Sequence, residues 1–493
     1  MISEHLPALQ VVLPLLVAPV CFLIPNRRIS WALATLTSWL AFAIAIILVL
    51  KTHNGDIISY AFGGWEPPFG IEYRVDIINA YVLMIVSGIA ALVFPYSWTS
   101  IQKEVAKSHH QLFITALLLC LAGLLGMIIT GDAFNLFVLL EISSLSSYTL
   151  ISLGRDRRAL TSSFQYLIMG TVGATFILIG VGLLYVLTGT LNMMDLAARI
   201  AELPESRTLQ AAFAFLFVGF GLKLAMFPLH LWLPNAYAFA PSAVSAFIGS
   251  TATKVAIYAL LRFLFTIFGV KFSFESMHVH WLLMPLSVIA IMFASLVAIF
   301  QDGTKRVLAY SSVAQIGYML LGLSLTNITG LTATLLHLFN HALMKGGLFL
   351  AVGAIAYQMG GTRLEHLRGA GKAMPYTMAA FTVGVFSLIG VPLTVGFISK
   401  WYLILATIEA GYWLLTIIVL ISSLLAAIYT WRLLESAYFK PRPVGAPEVK
   451  EAPLSLLIPT GILIGANLYF GIRSENISVI ARSAAELLSG GQF

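Results

Sequence analysis

Apolar residues along the chain come in runs of about 20, the length that carries an α-helix across the hydrocarbon core of a bilayer. Such runs lie near 5–24, 30–50, 77–98, 111–129, 132–153, 162–188, 209–230, 243–268, 280–299, 306–325, 328–357, 376–402, 411–436 and 453–472. They predict an all-α polytopic membrane protein of about fourteen transmembrane helices, with 1–493 as a single membrane domain. The seventh run is broken by Pro228 and followed by Pro234 and Pro241. The twelfth holds Pro392 and Gly396 in IGVPLTVGFISK. Both are expected to be discontinuous helices, because such residues free backbone groups that only protein or a water-filled cavity can satisfy. The run 328–357 exceeds one span and contains Gly346 and Gly347, which predicts a kink or break there. Helices four to eight (111–268) and nine to thirteen (280–436) form two blocks of five. A block with an odd number of helices re-enters the membrane inverted, an arrangement common in secondary transporters. The seventh and twelfth helices then occupy corresponding places.

Polar residues add an orientation. The chain is 59% hydrophobic and 10% charged, which excludes an ordinary soluble protein. Its 28 Lys and Arg exceed its 21 Asp and Glu. Alternate loops hold most of that excess, among them Arg27, Lys103, Arg155, Arg158, Arg306, Arg363 and Lys440. This is the pattern of loops that face anionic lipid and the cytoplasm, not of a nucleic-acid binder. It predicts a bacterial or archaeal cytoplasmic (inner) membrane protein with both termini outside. The segment before residue 6 has no basic n-region, so the first helix reads as a span and not a cleaved signal. Cys21 and Cys120 lie in apolar runs without metal-ligand neighbours, so neither a disulfide nor a metal site is expected.

The candidate chemistry lies in the ionisable residues inside the spans: Glu141, Lys223, His230, Lys254, His337, His341, Lys345 and Lys400. Each is expensive in a bilayer and marks a functional site by default, with a structural ion pair or interhelical hydrogen bond as the plain alternative. His337, His341 and Lys345 follow one another at i, i+4 and i+8, on one helix face. Burial disfavours the charged forms of Lys and Glu alike, and pairing restores them, so a row of such groups can pass protons and respond to neighbouring charges. Ser146 and Tyr148, beside Glu141, and Tyr318 on the tenth helix are possible hydroxyl accessories. The serine-rich face is as compatible with helix packing. Asp132 reads as a helix N-cap. An interior with one carboxylate and many cations suits protons better than a metal cation. The sequence contains no Gly-rich phosphate loop and no CxxC cluster. No cofactor is expected, and the chain is not expected to be catalytic by itself.

The stretches LLEISSLSSYTLI, KLAMFPLHLWLPNAYAFAPSAVSA, TKVAIYALLRF, DGTKRVLAYSSVAQIGYMLLG, HLFNHALMKGGLFL and GVPLTVGFISKW, spread over roughly 75–436, resemble one family. It comprises the antiporter-like proton-translocating subunits of Mrp-type cation/proton antiporters, respiratory complex I and membrane-bound hydrogenases. The resemblance implies a mid-membrane proton relay of Glu141, Lys223, Lys254, His337, His341 and Lys400, with Glu141 and Lys223 as an electrostatic switch. Length and wording are most similar to the D subunit of Mrp antiporters or a hydrogenase-associated relative. The long lateral helix of the largest complex I subunit and the extra domain of the large Mrp subunit are not expected. The implied function is the proton-translocating subunit of a multisubunit monovalent cation (Na+)/H+ antiporter. Its partners would be other membrane subunits, through which the Na+ would pass. The alternatives are a proton-pumping subunit of a complex I-like NADH-quinone oxidoreductase or hydrogenase, and a stand-alone solute transporter or channel.

Overall fold

The computed structural model describes residues 2–490 apart from 444, 446 and 447. Among the described residues, thirteen helices are long and apolar enough to cross a membrane. We number the spanning helices α1 to α14. They are α1 (Leu6–Leu23), α2 (Arg27–Thr52), α3 (Ile77–Glu104), α4 (His110–Ile129), α5 (Ala133–Ser152), α6 (Arg157–Thr188) and α7 (Arg207–Leu224). Then follow α8 (Ser242–Leu261), α9 (Val279–Ile299), α10 (Thr304–Ser324), α11 (Ile328–Met359), α13 (Trp413–Tyr438) and α14 (Leu454–Ile472). The remaining span, α12, is made of two halves, α12a (Pro375–Ile389) and α12b (Val395–Glu409). Every apolar run of the sequence therefore corresponds to an observed helix, and the chain is a multi-pass membrane protein.

Both expected discontinuities are present. α7 ends at Leu224, and the chain resumes helical form only over Trp232–Phe239. Ala225, the cap residue, has φ 60, a left-handed conformation that costs a non-glycine residue about 1–2 kcal/mol. In α12 the halves are separated by residues 390–394, with Gly390 at φ 94 and Leu393 at φ 72.

The break expected at Gly346–Gly347 is not there. α11 runs unbroken for 32 residues. These glycines instead allow close packing against α14. A Cβ built on Gly346 would lie 2.9 Å from the Leu463 side chain, and one on Gly347 would lie 2.6 Å from that of Ile464. Glycine here serves helix approach, the use small residues have in membrane bundles. The whole central window of α11 is buried. Around it stand α3, α8, α10, α12 and α14.

A hairpin and two amphipathic helices are among the described elements outside the spans. Strands β1 (Ile58–Ala61) and β2 (Glu72–Val75) pair antiparallel, with Ile58 opposite Val75. The Glu72 carboxylate accepts hydrogen bonds from Ser59 Oγ (2.6 Å) and Asn192 Nδ2 (2.8 Å), tying this hairpin to the segment after α6. Two further helices, Met193–Glu202 and Glu475–Ser489, are amphipathic and too polar to span.

Candidate functional site

The first candidate pair forms where α5 meets the end of α7. Asp132 caps α5, its carboxylate accepting from Asn135 N at 2.6 Å. Two turns on, Glu141 lies with one oxygen 3.5 Å from Lys223 Nζ. Lys223 also donates to Ser144 Oγ at 2.9 Å. The lysine side chain is 5% exposed and the carboxylate 26%. The carboxylate thus opens toward the bundle's edge while the cation is sealed within. Lys223 sits one residue before the end of α7, and the helix terminus holds it there. Trp232, across the break, donates its indole N–H to the Leu222 carbonyl at 2.9 Å, a shorter bond than the 3.3 Å one that carbonyl accepts from the cap residue Ala225. Trp232 is stacked on Tyr166 of α6, ring centroids 3.9 Å apart.

Lys254 is fully buried near the middle of α8. Its Nζ donates to the Gly249 carbonyl at 2.5 Å and to Thr253 Oγ1 at 3.4 Å, both on its own helix. No carboxylate pairs with it among the described residues. Lys345 of α11 is equally buried and donates to Leu308 O (2.7 Å) and Ser311 Oγ of α10. Lys254, Lys345 and His341 are within electrostatic reach of one another. Unpaired like charges so placed in a low-dielectric interior raise each other's energy, so protonating one bears directly on the others.

The second half is joined by direct contacts. His337 and His341 stack one turn apart on α11, centroids 6.0 Å and planes 9° apart. His337 Nδ1 shares a hydrogen bond with Ser399 Oγ of α12b at 2.8 Å. The next residue, Lys400, reaches back across the break: its Nζ donates to Ile389 O (2.8 Å) and Leu388 O (3.4 Å), the terminal carbonyls of α12a, and to Ser423 Oγ of α13 (3.0 Å). A helix C-terminus carries partial negative charge, so the break supplies this lysine with a counter-field in place of a carboxylate. Asn340 of α11 donates to Val395 O at 2.7 Å and holds the other side of the break. Tyr318 meets His337 edge-on, lies 5.1 Å below Lys400 Nζ, and shares a hydrogen bond with Ser422 Oγ at 2.6 Å.

The accessory residues divide. Tyr318 is part of the second cluster. Ser146 donates to Ile142 O within its own helix at 2.7 Å, which is packing. Tyr148 packs edge-on against Tyr166, with its hydroxyl over Gly170, where any Cβ would collide with it. His230 falls in the break after α7, buried and stacked 5.2 Å from Phe227; no hydrogen bond joins it to Glu141, Lys223 or Lys254.

Sequence reasoning missed two features. One is a buried ion pair: Arg262, just past the end of α8, donates to both carboxylate oxygens of Asp76 at 2.5 Å. The other is a cavity of about 1070 Å³ where the basic loops meet, lined by Lys103, Arg155, Arg158, Arg306 and Arg363 among others. Glu104 and the buried Lys305 also line it. A signal for the cavity was present in the charge excess of those loops. No signal marked a pair separated by 186 residues.

This geometry can be set beside known proteins. The chain is 41% identical to the N subunit of the NADH-quinone oxidoreductase of Desulforudis audaxviator, over 96% of this chain and 97% of that one. It is 29% identical to the D subunit of the Na(+)/H(+) antiporter of Bacillus subtilis, over 97% and 96%. Its structure superposes on a chain of the Mrp complex from Dietzia sp. DQ12-45-1b with a TM-score of 0.90 at 26% identity, covering 99% of this chain and 98% of that one. Residues 130–426, which contain Glu141, all four buried span lysines and both stacked histidines, match the transmembrane model NADH:quinone oxidoreductase/Mrp antiporter. The chain belongs to the NADH:quinone oxidoreductase/Mrp antiporter transmembrane family.

Proposed function

We propose that this chain is a proton-translocating subunit of a multisubunit membrane complex. Protons would pass between Lys223, Lys254, the His341–His337 stack and Lys400, with Glu141 biasing the first lysine from the bundle edge. One observation carries the reading: four lysines are buried well inside apolar spans, and among the described residues a single mid-span carboxylate accompanies them, paired to only one. Buried cations without counter-charges destabilise a fold, and a purely structural role would favour apolar replacements. A stand-alone solute transporter would need a substrate pocket at the broken helices; there Lys223, Asn340 and Lys400 are engaged by neighbouring protein groups. Lys345 is an accessory member, His230 a peripheral one. In this reading 111–268 and 280–436 are two inverted units, supported by the break falling in the fourth helix of each. The basic loops face the cytoplasm and both termini lie outside, in the cytoplasmic membrane of a bacterium or archaeon. The gathering of those loops around one cavity supports that orientation.

The coupled process is exchange of a monovalent cation, Na+ by first choice, through other subunits, as the similarity to a Na(+)/H(+) antiporter chain and to an Mrp complex suggests. A second reading has its own observation: the 41% identical relative belongs to an NADH-quinone oxidoreductase, so electron transfer could drive the same path. Copurification in mild detergent with mass spectrometry separates them. Small hydrophobic membrane subunits alone support antiport. Flavin or iron–sulfur subunits support a respiratory pump. Full transport by the isolated chain would overturn both.

A further inference from the structure

The helix that carries Lys254 has two unlike ends. At its start, the cap residue Pro241 lines the cavity among the basic loops. There Glu104 of α3 accepts from Ser242 N and Ser242 Oγ at 2.6 Å each, and from Ser100 Oγ at 2.8 Å. A carboxylate thus sits between a solvent-sized space of about 1070 Å³ and the first turn of α8. Lys305 stands beside it, donating to Ala240 O at 2.9 Å.

The far end is closed. Lys254, Tyr258 and Arg262 follow one another at i, i+4 and i+8, so they lie along one face over about 12 Å of helix axis. The Tyr258 hydroxyl donates to Ile128 O at 2.8 Å and accepts from Arg262 Nε at 3.0 Å. Arg262 then grips Asp76, and their side chains are only 12% and 7% exposed. Asp76 is itself fixed as the N-cap of α3, accepting from Ile78 N and Asn79 N. Arg262 also opens a π-helical stretch, Arg262–Ile267, a distortion that collects at functional sites.

We propose that Arg262, locked onto Asp76, sets the sidedness of Lys254: it is a fixed positive charge that closes the outer end of α8 to protons. Lys254 then exchanges protons with the cytoplasmic cavity and with the other members of the interior relay, and not with the outer face. This rests on the reading of Lys254 as a proton carrier and of the basic loops as cytoplasmic. A guanidinium keeps its proton at any physiological pH, so it cannot hand one on. It also repels an approaching hydronium, the means by which some pores exclude protons. The pair is oriented for this: the guanidinium lies toward Tyr258 and Lys254, and the carboxylate belongs to the outer end of α3. Asp76 keeps the arginine in place, because a buried guanidinium without a counter-charge would leave for water. Arg262 and Asp76 are positioning residues; neither carries the proton.

The test is passive proton leak in liposomes holding the whole purified complex, under an imposed potential and without its driving reaction. Arg262→Gln, which keeps hydrogen bonding but removes the charge, is expected to raise the leak by about tenfold or more, and Arg262→Lys to stay near wild type. Adding Lys254→Met to Arg262→Gln should abolish the extra leak. A tight Arg262→Gln complex overturns the barrier, as does a leak that persists without Lys254. Should Arg262→Gln fail to assemble, Asp76→Asn is read in its place; it is expected to leak, and a tight Asp76→Asn complex equally overturns the proposal. Lys254→Met alone tests the underlying reading. Wild-type coupled transport in that variant sinks the relay, whereas lost transport with a tight Arg262→Gln complex sinks the barrier only.

Discussion

The two broken helices solve one problem in different ways. Each leaves carbonyls without intrahelical partners in a region where water is scarce. At the end of α7 two neutral donors, the Ala225 N–H and the Trp232 indole, serve the Leu222 carbonyl. Lys223 is thereby left free to face Glu141 and Ser144. In α12 the lysine itself fills the gap, with Lys400 bonded to Ile389 and Leu388. The first lysine answers to a partly exposed carboxylate at the bundle edge. The second answers to the shape of its own break. A charge change outside the bundle should therefore act on Lys223, and a change in helix geometry on Lys400.

Five substitutions would break or sharpen this contrast. The largest effect is expected from Lys223→Ala or Glu141→Ala, which should abolish coupled transport while the complex still assembles. Native-gel assembly and ion flux in vesicles check both parts, and wild-type flux in either variant would contradict the role of the pair. Next is Lys400→Met. It should abolish transport and also destabilise α12, since two carbonyls lose their donor; an unpartnered buried polar group costs about 1–3 kcal/mol. A lowered detergent melting temperature, absent from Lys223→Ala, distinguishes the two lysines. Trp232→Phe keeps the ring packing on Tyr166 but removes the indole bond to Leu222, whose carbonyl keeps the Ala225 N–H, and should cost about 0.5–1.5 kcal/mol with transport reduced but present. Faster proteolysis or hydrogen exchange around residues 225–231 would report it. The mildest is Ser399→Ala, which frees the His337 ring. Transport should slow by a few-fold, with assembly and thermal stability unchanged.

The spans were legible in the sequence because hydrocarbon imposes one length and one composition on every helix. The buried lysines were legible because a charge inside such a run has few reasons to be there. Other features depend on what lies opposite. Gly346 and Gly347 read equally well as a break or as a packing face, and only the approach of Leu463 and Ile464 decides it. Lys305 counts as a loop cation by position, yet it is buried against Ala240. Arg262 near a helix end resembles a side chain reaching for water, and Asp76 resembles an ordinary cap. Their pairing brings together residues far apart in sequence, a relation no local pattern encodes. The hairpin of β1 and β2 escaped notice because its short strands sit among Gly and Pro residues, between two strongly apolar runs.

The unbroken, fully enclosed α11 also bears on how the protein is made. Its central stretch has a mean hydropathy of 1.4, against 2.7 for the helix that includes α4. It contains His337, Asn340, His341 and Lys345. Such a segment partitions poorly from the translocon into lipid on its own, since each strongly polar residue near its centre opposes entry by up to about 3 kcal/mol. Release into the bilayer would wait until neighbouring helices can shelter it. The polar residues buried along α11 thus also set a biosynthetic order, in which α3, α8 and α10 receive α11 before the later helices close around it.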